Sequence, residues 1–515
     1  MSTSNLTLSV AAILAEGATR YASLNAITMN GQSTTYRDLW DQARAYAGAL
    51  EEQGISEGDR VAVLIPNVTD FARTYYAILS LGATVVPIHA LLKAREISYV
   101  LEDAAAKLLV CAAGLLGEGA KGAQHSGVRL LTVMDPDASA GNRLEDFAAQ
   151  ATPITTYLPR RAEDIATILY TSGTTGKPKG ALGTHLALIE QTHSTLLNTM
   201  DIRQGDKLFG GLPLFHTFGQ TCVLNTGLRI GAEVMLLPKF TAEAALDLVL
   251  DADIDVFFGV PTMYVALLEA GAQREGKPEK LRYAISGGAS LPLSVLDAFE
   301  QRFGSRIYEG YGLTETSPVA CFNHVGREPR PGTVGTPVWG VDVEIADPAY
   351  PDEIRLLPRG ELGELVVRGH NLFSGYLNRP DATAQAVVDG WFRTGDLGTK
   401  DEDDYLRILD RTKDMILRNG YNVYPREIEE VLTSHPEVSN AAVYGVPHEK
   451  HGQEIAASVT LKAGSSLSPE QLGAWAQEQM AAYKYPRHIQ IVDQFPLGPS
   501  GKILKRELIA QFKNG

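Results

Sequence analysis

The order of residue patterns predicts an α/β protein: a large, multi-subdomain N-terminal domain with parallel sheets and a β subdomain, followed by a small α+β C-terminal domain. Three observations carry that expectation. Helical periodicity alternates with short β-rich runs through the first part of the chain, the character turns to alternating β between residues 340 and 367, and near Asp410 a fresh strand and helix pattern of about 100 residues begins.

Taken in order, residues 35–52 repeat their apolar positions at helical spacing, 60–64 read as a strand, 70–81 as a second helix and 84–86 as a strand. Further strands are expected at 108–111, 130–133, 233–237, 256–258 and 283–285, with an apolar run at 165–169. In the β region, 341–345 and 363–367 alternate as half-buried strands do. The acidic run Asp401, Glu402, Asp403, Asp404 lacks the spaced ligands and closing Glu of a calcium loop; it reads as a hairpin turn, where Asp tolerates left-handed backbone. After Asp410 come a strand, a helix at 425–433, strands at 441–443 and 455–461, a helix at 468–480 and a short strand at 489–491. The division expected from these patterns is 1–410 and 411–515.

The chain has 515 residues and a formal charge of −15, which disfavours nucleic acid as a main partner. The charge is uneven: residues 411–515 hold 12 Lys+Arg against 11 Asp+Glu, so the acidity belongs to the first part. Cys111, Cys222 and Cys321 lie far apart without paired spacing, which argues for a reducing compartment and a cytoplasmic location, and against a zinc or disulfide frame. Residues 1–5 carry no basic stretch ahead of apolar residues, so no signal peptide is expected. The uncharged stretches 74–92 and 208–228 are interrupted by Gly, Pro and His and read as core pieces; no transmembrane segment is expected, while a transient membrane contact and a homodimer stay open.

The most informative segment follows the run at 165–169: Tyr170, Thr171, Ser172, Gly173, Thr174, Thr175, Gly176, Lys177, Pro178, Lys179, Gly180. Small residues let backbone approach a polyanion, four hydroxyls offer hydrogen bonds, and Lys177 and Lys179 offer charge. The spacing fails for a Walker loop, and Pro178 keeps Lys177 out of helical backbone, so no helix begins there. The segment resembles the signature of the adenylate-forming superfamily, which contains acyl-CoA synthetases, luciferases and the adenylation domains of peptide synthetases.

Other segments extend the resemblance over nearly the whole chain. Tyr308, Glu309, Gly310, Tyr311, Gly312, Leu313, Thr314 and Glu315 are similar to the family's adenine and metal segment, which implies Tyr311 against adenine, Thr314 on the α-phosphate and Glu315 on Mg²⁺, a hard ion that prefers oxygen. Ser286, Gly287, Gly288 and Ala289 follow a strand and match the loop that borders adenine and acyl group. Asp396, in the run 390–396, matches the ribose-binding Asp; Arg411 matches a ribose or phosphate contact and Lys413 the hinge between domains. The Pro499, Ser500, Gly501, Lys502 turn resembles the C-terminal lysine loop. A lysine between carboxylate and α-phosphate offsets the charge that develops as they join, and Lys502 is the candidate. His216 falls at an aromatic gate over the acyl site, with a satisfied core histidine as the even alternative. The resemblance implies that Gly420 and Tyr421 lie in a segment that lines a coenzyme A tunnel once the mobile small domain has rotated.

The closest likeness is to bacterial fatty acyl-CoA synthetases. It implies ATP, Mg²⁺ and coenzyme A as cofactors, and a carboxylic acid as substrate, activated as acyl-AMP and passed to the CoA thiol. Phe257, Phe258, Val260, Met263 and Tyr264 are expected to line an apolar acyl pocket. Malonyl-CoA synthetases carry an Arg near the position of Ala266, so a dicarboxylate is disfavoured, and a medium or long fatty acid or another bulky apolar acid is favoured. A ligase loading a carrier protein and a luciferase-like oxidoreductase share the adenylation motifs; a P-loop kinase is set aside by the failed spacing.

Overall fold

The computed structural model describes residues 8–135, 142–171, 177–272, 274–419, 421–448, 450–498 and 501–514. The expected alternation builds two large sheets. One has six strands in the order Arg129–Val133, Leu108–Ala112, Arg60–Leu64, Thr84–Pro87, Ile165–Thr171, Lys179–Thr184; all neighbours run parallel except the last pair, an antiparallel hairpin. The other has nine strands. Its parallel centre contains Arg306–Gly312, Tyr283–Ser286, Val256–Gly259, Lys207–Gly210 and Glu233–Leu236.

Local chemistry sets the element ends. The Thr35 hydroxyl accepts the Asp38 N–H at 3.1 Å, starting the helix Tyr36–Glu52. Proline opens the helices Pro261–Gly271, Pro425–Thr433 and Pro469–Gln479, where its missing N–H costs nothing. The third sheet, Val341–Ala346, Gly363–Gly369, Trp391–Lys400, Val387–Val388 and Leu406–Arg411, is the expected β subdomain. Its hairpin turn holds Asp404 at φ 68°, and Arg330 and Arg359 pair with Asp401, Asp403 and Asp404, so the acidic run is a turn with cationic partners.

The chain leaves this sheet at Arg411 and enters the terminal one at Ile416–Arg418, so Lys413 stands between two sheets. In the terminal unit the paired strands Val438–His448 and Gly452–Leu461 are longer than expected, and a closing helix, Lys505–Asn514, was not expected at all. No helix among the described residues is long and apolar enough to cross a membrane.

One expectation fails. Phe257 stacks on Phe209 at 4.4 Å and meets Tyr264 edge-on at 5.4 Å, while the Tyr264 hydroxyl donates to the Ile285 carbonyl at 2.6 Å. Phe257 and Phe258 are wholly buried because their strand, Val256–Gly259, is central in a sheet covered on both faces; Tyr264 is wholly buried on the helix that follows, and Met263 is buried in the core cluster that holds Phe258. Of the five expected pocket residues, only Val260 reaches the large cavity.

Candidate active site

Strand ends converge on one cavity of about 1030 Å³. The nine-stranded sheet contributes Gly287 and Gly288 after one strand and Gly310, Tyr311 and Gly312 from the next; Thr314 and Glu315 follow in a short 3₁₀ turn. The six-stranded sheet adds its hairpin, with Thr171, Lys177 and Lys179 in the wall. Asp396 and Arg411 come from the β subdomain, and Lys502 from the terminal unit. Placement at the carboxyl ends of parallel strands is where open α/β sheets hold ligands.

Each polar group has a definable state. The Tyr311 hydroxyl donates to Asp396 Oδ2 at 2.5 Å, and Arg411 Nε lies 3.1 Å from Oδ1, so both oxygens of this buried carboxylate are oriented. Tyr376, which no motif pointed to, donates its hydroxyl to Glu315 Oε1 at 2.8 Å, and its ring lies 5.0 Å below Lys179 Nζ. Burial raises the Glu315 pKa, with Tyr376, Arg411 and Lys179 only partly opposing it. A buried carboxylate in that condition favours an added cation, so it fits a hard divalent ion.

Lys502 is brought into the same cavity. The Gly501 carbonyl accepts the Thr262 hydroxyl at 3.0 Å, fixing the lysine turn against the large domain, and Gly501 itself has φ 76°. A β-carbon on Gly288 would stand 3.6 Å from Lys502 Cε. Desolvation lowers the Lys502 pKa to about 8; Arg411 and Lys413 add repulsion, and Asp396 and Glu315 oppose it.

His216 faces the cavity, so the alternative of a histidine sealed in the core does not apply. Its Nδ1 accepts the Phe218 N–H at 3.3 Å, and desolvation, with Lys502 and His89 nearby, lowers its pKa to about 4. The ring is therefore neutral at physiological pH. His89 packs on Phe215 at 4.2 Å, which makes this wall aromatic.

Some expected residues stand elsewhere. Glu309 is buried with its carboxylate accepting the Leu291 N–H at 3.2 Å, burial holding its pKa up at about 7, and it does not reach the cavity wall; nor does Ala289. Tyr421 is 57% exposed and stacks on Tyr483 at 4.9 Å, outside the cavity. Ser172, Gly173, Thr174, Thr175 and Gly420 lie outside the described residues. Away from the cavity, His448, His451 and Glu454 bring ligand atoms within 4.8 Å of one another, but Arg418 engages both Glu454 oxygens, at 2.6 and 2.9 Å.

Residues 14–377 match the family model of the AMP-binding enzyme, and residues 427–502 match that of its C-terminal domain. The chain belongs to the AMP-binding enzyme family. It is thus a member of the adenylate-forming superfamily that its motifs resemble. It is 33% identical to a long-chain-fatty-acid–CoA ligase of Bacillus subtilis, over 97% of this chain and 94% of that one. With a feruloyl-CoA synthase of an Amycolatopsis species it shares 35% identity, over 95% and 96%. Among solved structures, ATP-bound MatB from Rhodopseudomonas palustris superposes with a TM-score of 0.89 at 32% identity, covering 98% of this chain and 99% of that one; the apo form of MatB gives 0.78.

Proposed function

We propose that this member of the family is an ATP-dependent carboxylate–CoA ligase acting through acyl-AMP. The observation that carries the reading is Lys502 seated in a cavity whose other walls hold Lys179, Thr314, Glu315, Asp396 and Arg411. A carboxylate oxygen attacks the α-phosphorus of ATP, the bond to the β-phosphate breaks and pyrophosphate leaves. The CoA thiol then attacks the acyl carbon, loses its proton, and AMP departs.

In the first step, two anions must meet and negative charge grows on phosphorus. The Lys502 ammonium, itself largely desolvated, offsets it. Thr314 supplies a hydroxyl toward the same phosphate, and Tyr311 a flat face for adenine. Asp396 is suited to accept from the ribose hydroxyls. Glu315 would hold magnesium, which when bound supplies positive charge to the triphosphate.

For the second step, the terminal unit turns about Lys413, withdrawing Lys502 and bringing the Tyr421 segment toward the cavity for CoA. Tyr421 is exposed in the pose described, which leaves its open face accessible for that use. His216, neutral and beside Phe215 and Phe218, is the gate that this step moves. Met200, Leu212, Phe215, Phe218, Val319 and Phe322 give the cavity an apolar wall, which supports a medium- or long-chain fatty acid or another bulky apolar acid. Three free buried cysteines suit a reducing, cytoplasmic setting.

Pyrophosphate exchange into ATP across a panel of acids, followed by CoA-dependent AMP release, tests the reading. Exchange with apolar acids and CoA-stimulated AMP release are expected; release of ADP and phosphate would contradict it. The same assay has a pH signature. Because Lys502 acts as its ammonium form and titrates near 8 in the free enzyme, kcat/KM for ATP should fall as pH rises through about 8. Lys502→Ala should lack that limb.

A further inference from the structure

We propose that Tyr99 and Asp103 are positioning residues that aim Lys177 and Lys179 at the pyrophosphate end of the nucleotide, a proposal that rests on the ligase reading above. The helix Ala94–Asp103 lies beside the hairpin bearing the two lysines, and it grips both stems. On the incoming strand, the Tyr170 hydroxyl donates to Asp103 Oδ2 at 2.9 Å. Past the loop, the Tyr99 hydroxyl donates to the Pro178 carbonyl at 2.8 Å. Tyr99 stands edge-on to Tyr170, their centroids 6.3 Å apart, and carries Lys177 Nζ 5.6 Å from its own ring centroid. Arg379 ties the two ends of the clamp together, donating to Asp103 Oδ1 at 2.9 Å and to the Tyr99 oxygen at 3.5 Å.

Among the described residues the last pair of the two strands is Thr171 with Lys179, and Lys177 and Pro178 come directly before it. Proline has no N–H to donate, and its carbonyl accepts from the Tyr99 hydroxyl. A lysine is a point charge on a flexible stem, and fixing its backbone and offering its ammonium an aromatic face narrows where that charge can go. Lys177, Lys179 and Tyr99 all line the cavity, and Tyr376 seats Lys179 as Tyr99 seats Lys177. Each cation thus sits over a tyrosine that is itself tied, Tyr376 to Glu315 and Tyr99 to Pro178.

The two half-reactions separate this role from a structural one, because acyl-AMP lacks the β- and γ-phosphates. Tyr99→Phe keeps the ring and removes only the hydroxyl. In pyrophosphate exchange it should raise the KM for ATP about two- to tenfold, the range of one neutral hydrogen bond, with the KM for the acid unchanged. Tyr99→Leu, which also removes the aromatic face, should raise it further, and Asp103→Asn should act in the same direction. Thioester formation from supplied acyl-AMP should stay at the wild-type rate in all three. An unchanged KM for ATP, or equal losses in both half-reactions, would overturn the clamp. Absence of exchange in the wild-type enzyme would instead overturn the ligase reading.

Discussion

Lys502→Ala is expected to slow acyl-AMP formation about a hundred- to a thousandfold, or about 3 to 4 kcal/mol, the cost of losing one preorganised group that meets developing charge. The size follows from the site. Lys502 is desolvated enough to titrate near 8, so little water is left to replace its charge once the ammonium is gone. Its neighbours cannot substitute. Arg411 Nε is paired with Asp396 at 3.1 Å, and Lys179 sits over Tyr376. In the two-pose assignment proposed above, thioester formation from supplied acyl-AMP uses a pose from which Lys502 has withdrawn, so that half-reaction should run near the wild-type rate. Single-turnover measurement of each half-reaction checks this, and equal damage to both would discard the two-pose assignment.

Asp396→Ala should have the other large effect, with a different pattern. The carboxylate is 3% exposed and orients Tyr311 at 2.5 Å and Arg411 at 3.1 Å. Its removal takes away the proposed acceptor for the ribose hydroxyls and the carboxylate to which the Tyr311 phenol donates. A hydrogen bond to a charged group is worth about 1.5 to 3 kcal/mol, so affinity for ATP should fall about ten- to a hundredfold. Ribose is present in ATP and in acyl-AMP alike, so both half-reactions should weaken, unlike the Lys502 variant. Titration of ATP and of acyl-AMP against Asp396→Ala checks this; selective loss for ATP alone would move Asp396 away from the ribose.

Gly287, Gly288, Tyr311, Glu315, Asp396 and Lys502, which share one cavity, were picked out by segments that resemble the family's motifs; composition alone would read such Gly-rich stretches as ordinary turns. The alternation of periods likewise exposed the parallel sheets, since buried strands between helices leave a pattern that depends on neighbours close in sequence. Tyr99 and Tyr376 gave no such signal. Each is a lone tyrosine in an ordinary helix or loop, and its meaning comes from partners such as Pro178, 79 residues away, or Glu315, 61 residues away.

Phe257, Phe258 and Tyr264 were misread for a related reason: apolar residues near a strand end look alike whether they fill a core or line a pocket. Only the packing against Phe209 and Phe299 decides between the two. The closing helix Lys505–Asn514 was hidden because it is short and polar. Leu508, Ile509 and Phe512 hold it against Ala442, Tyr444 and Val446 of a distant strand, so its stability is tertiary.

The central claim is that a carboxyl oxygen of the substrate bonds to the α-phosphorus in the cavity that Lys502 enters. Acid carrying oxygen-18 in its carboxyl group, turned over with ATP and CoA, reports on that bond directly. Mass spectrometry should find one labelled oxygen in the AMP and none in the pyrophosphate. Unlabelled AMP, or label in phosphate released beside ADP, would contradict it.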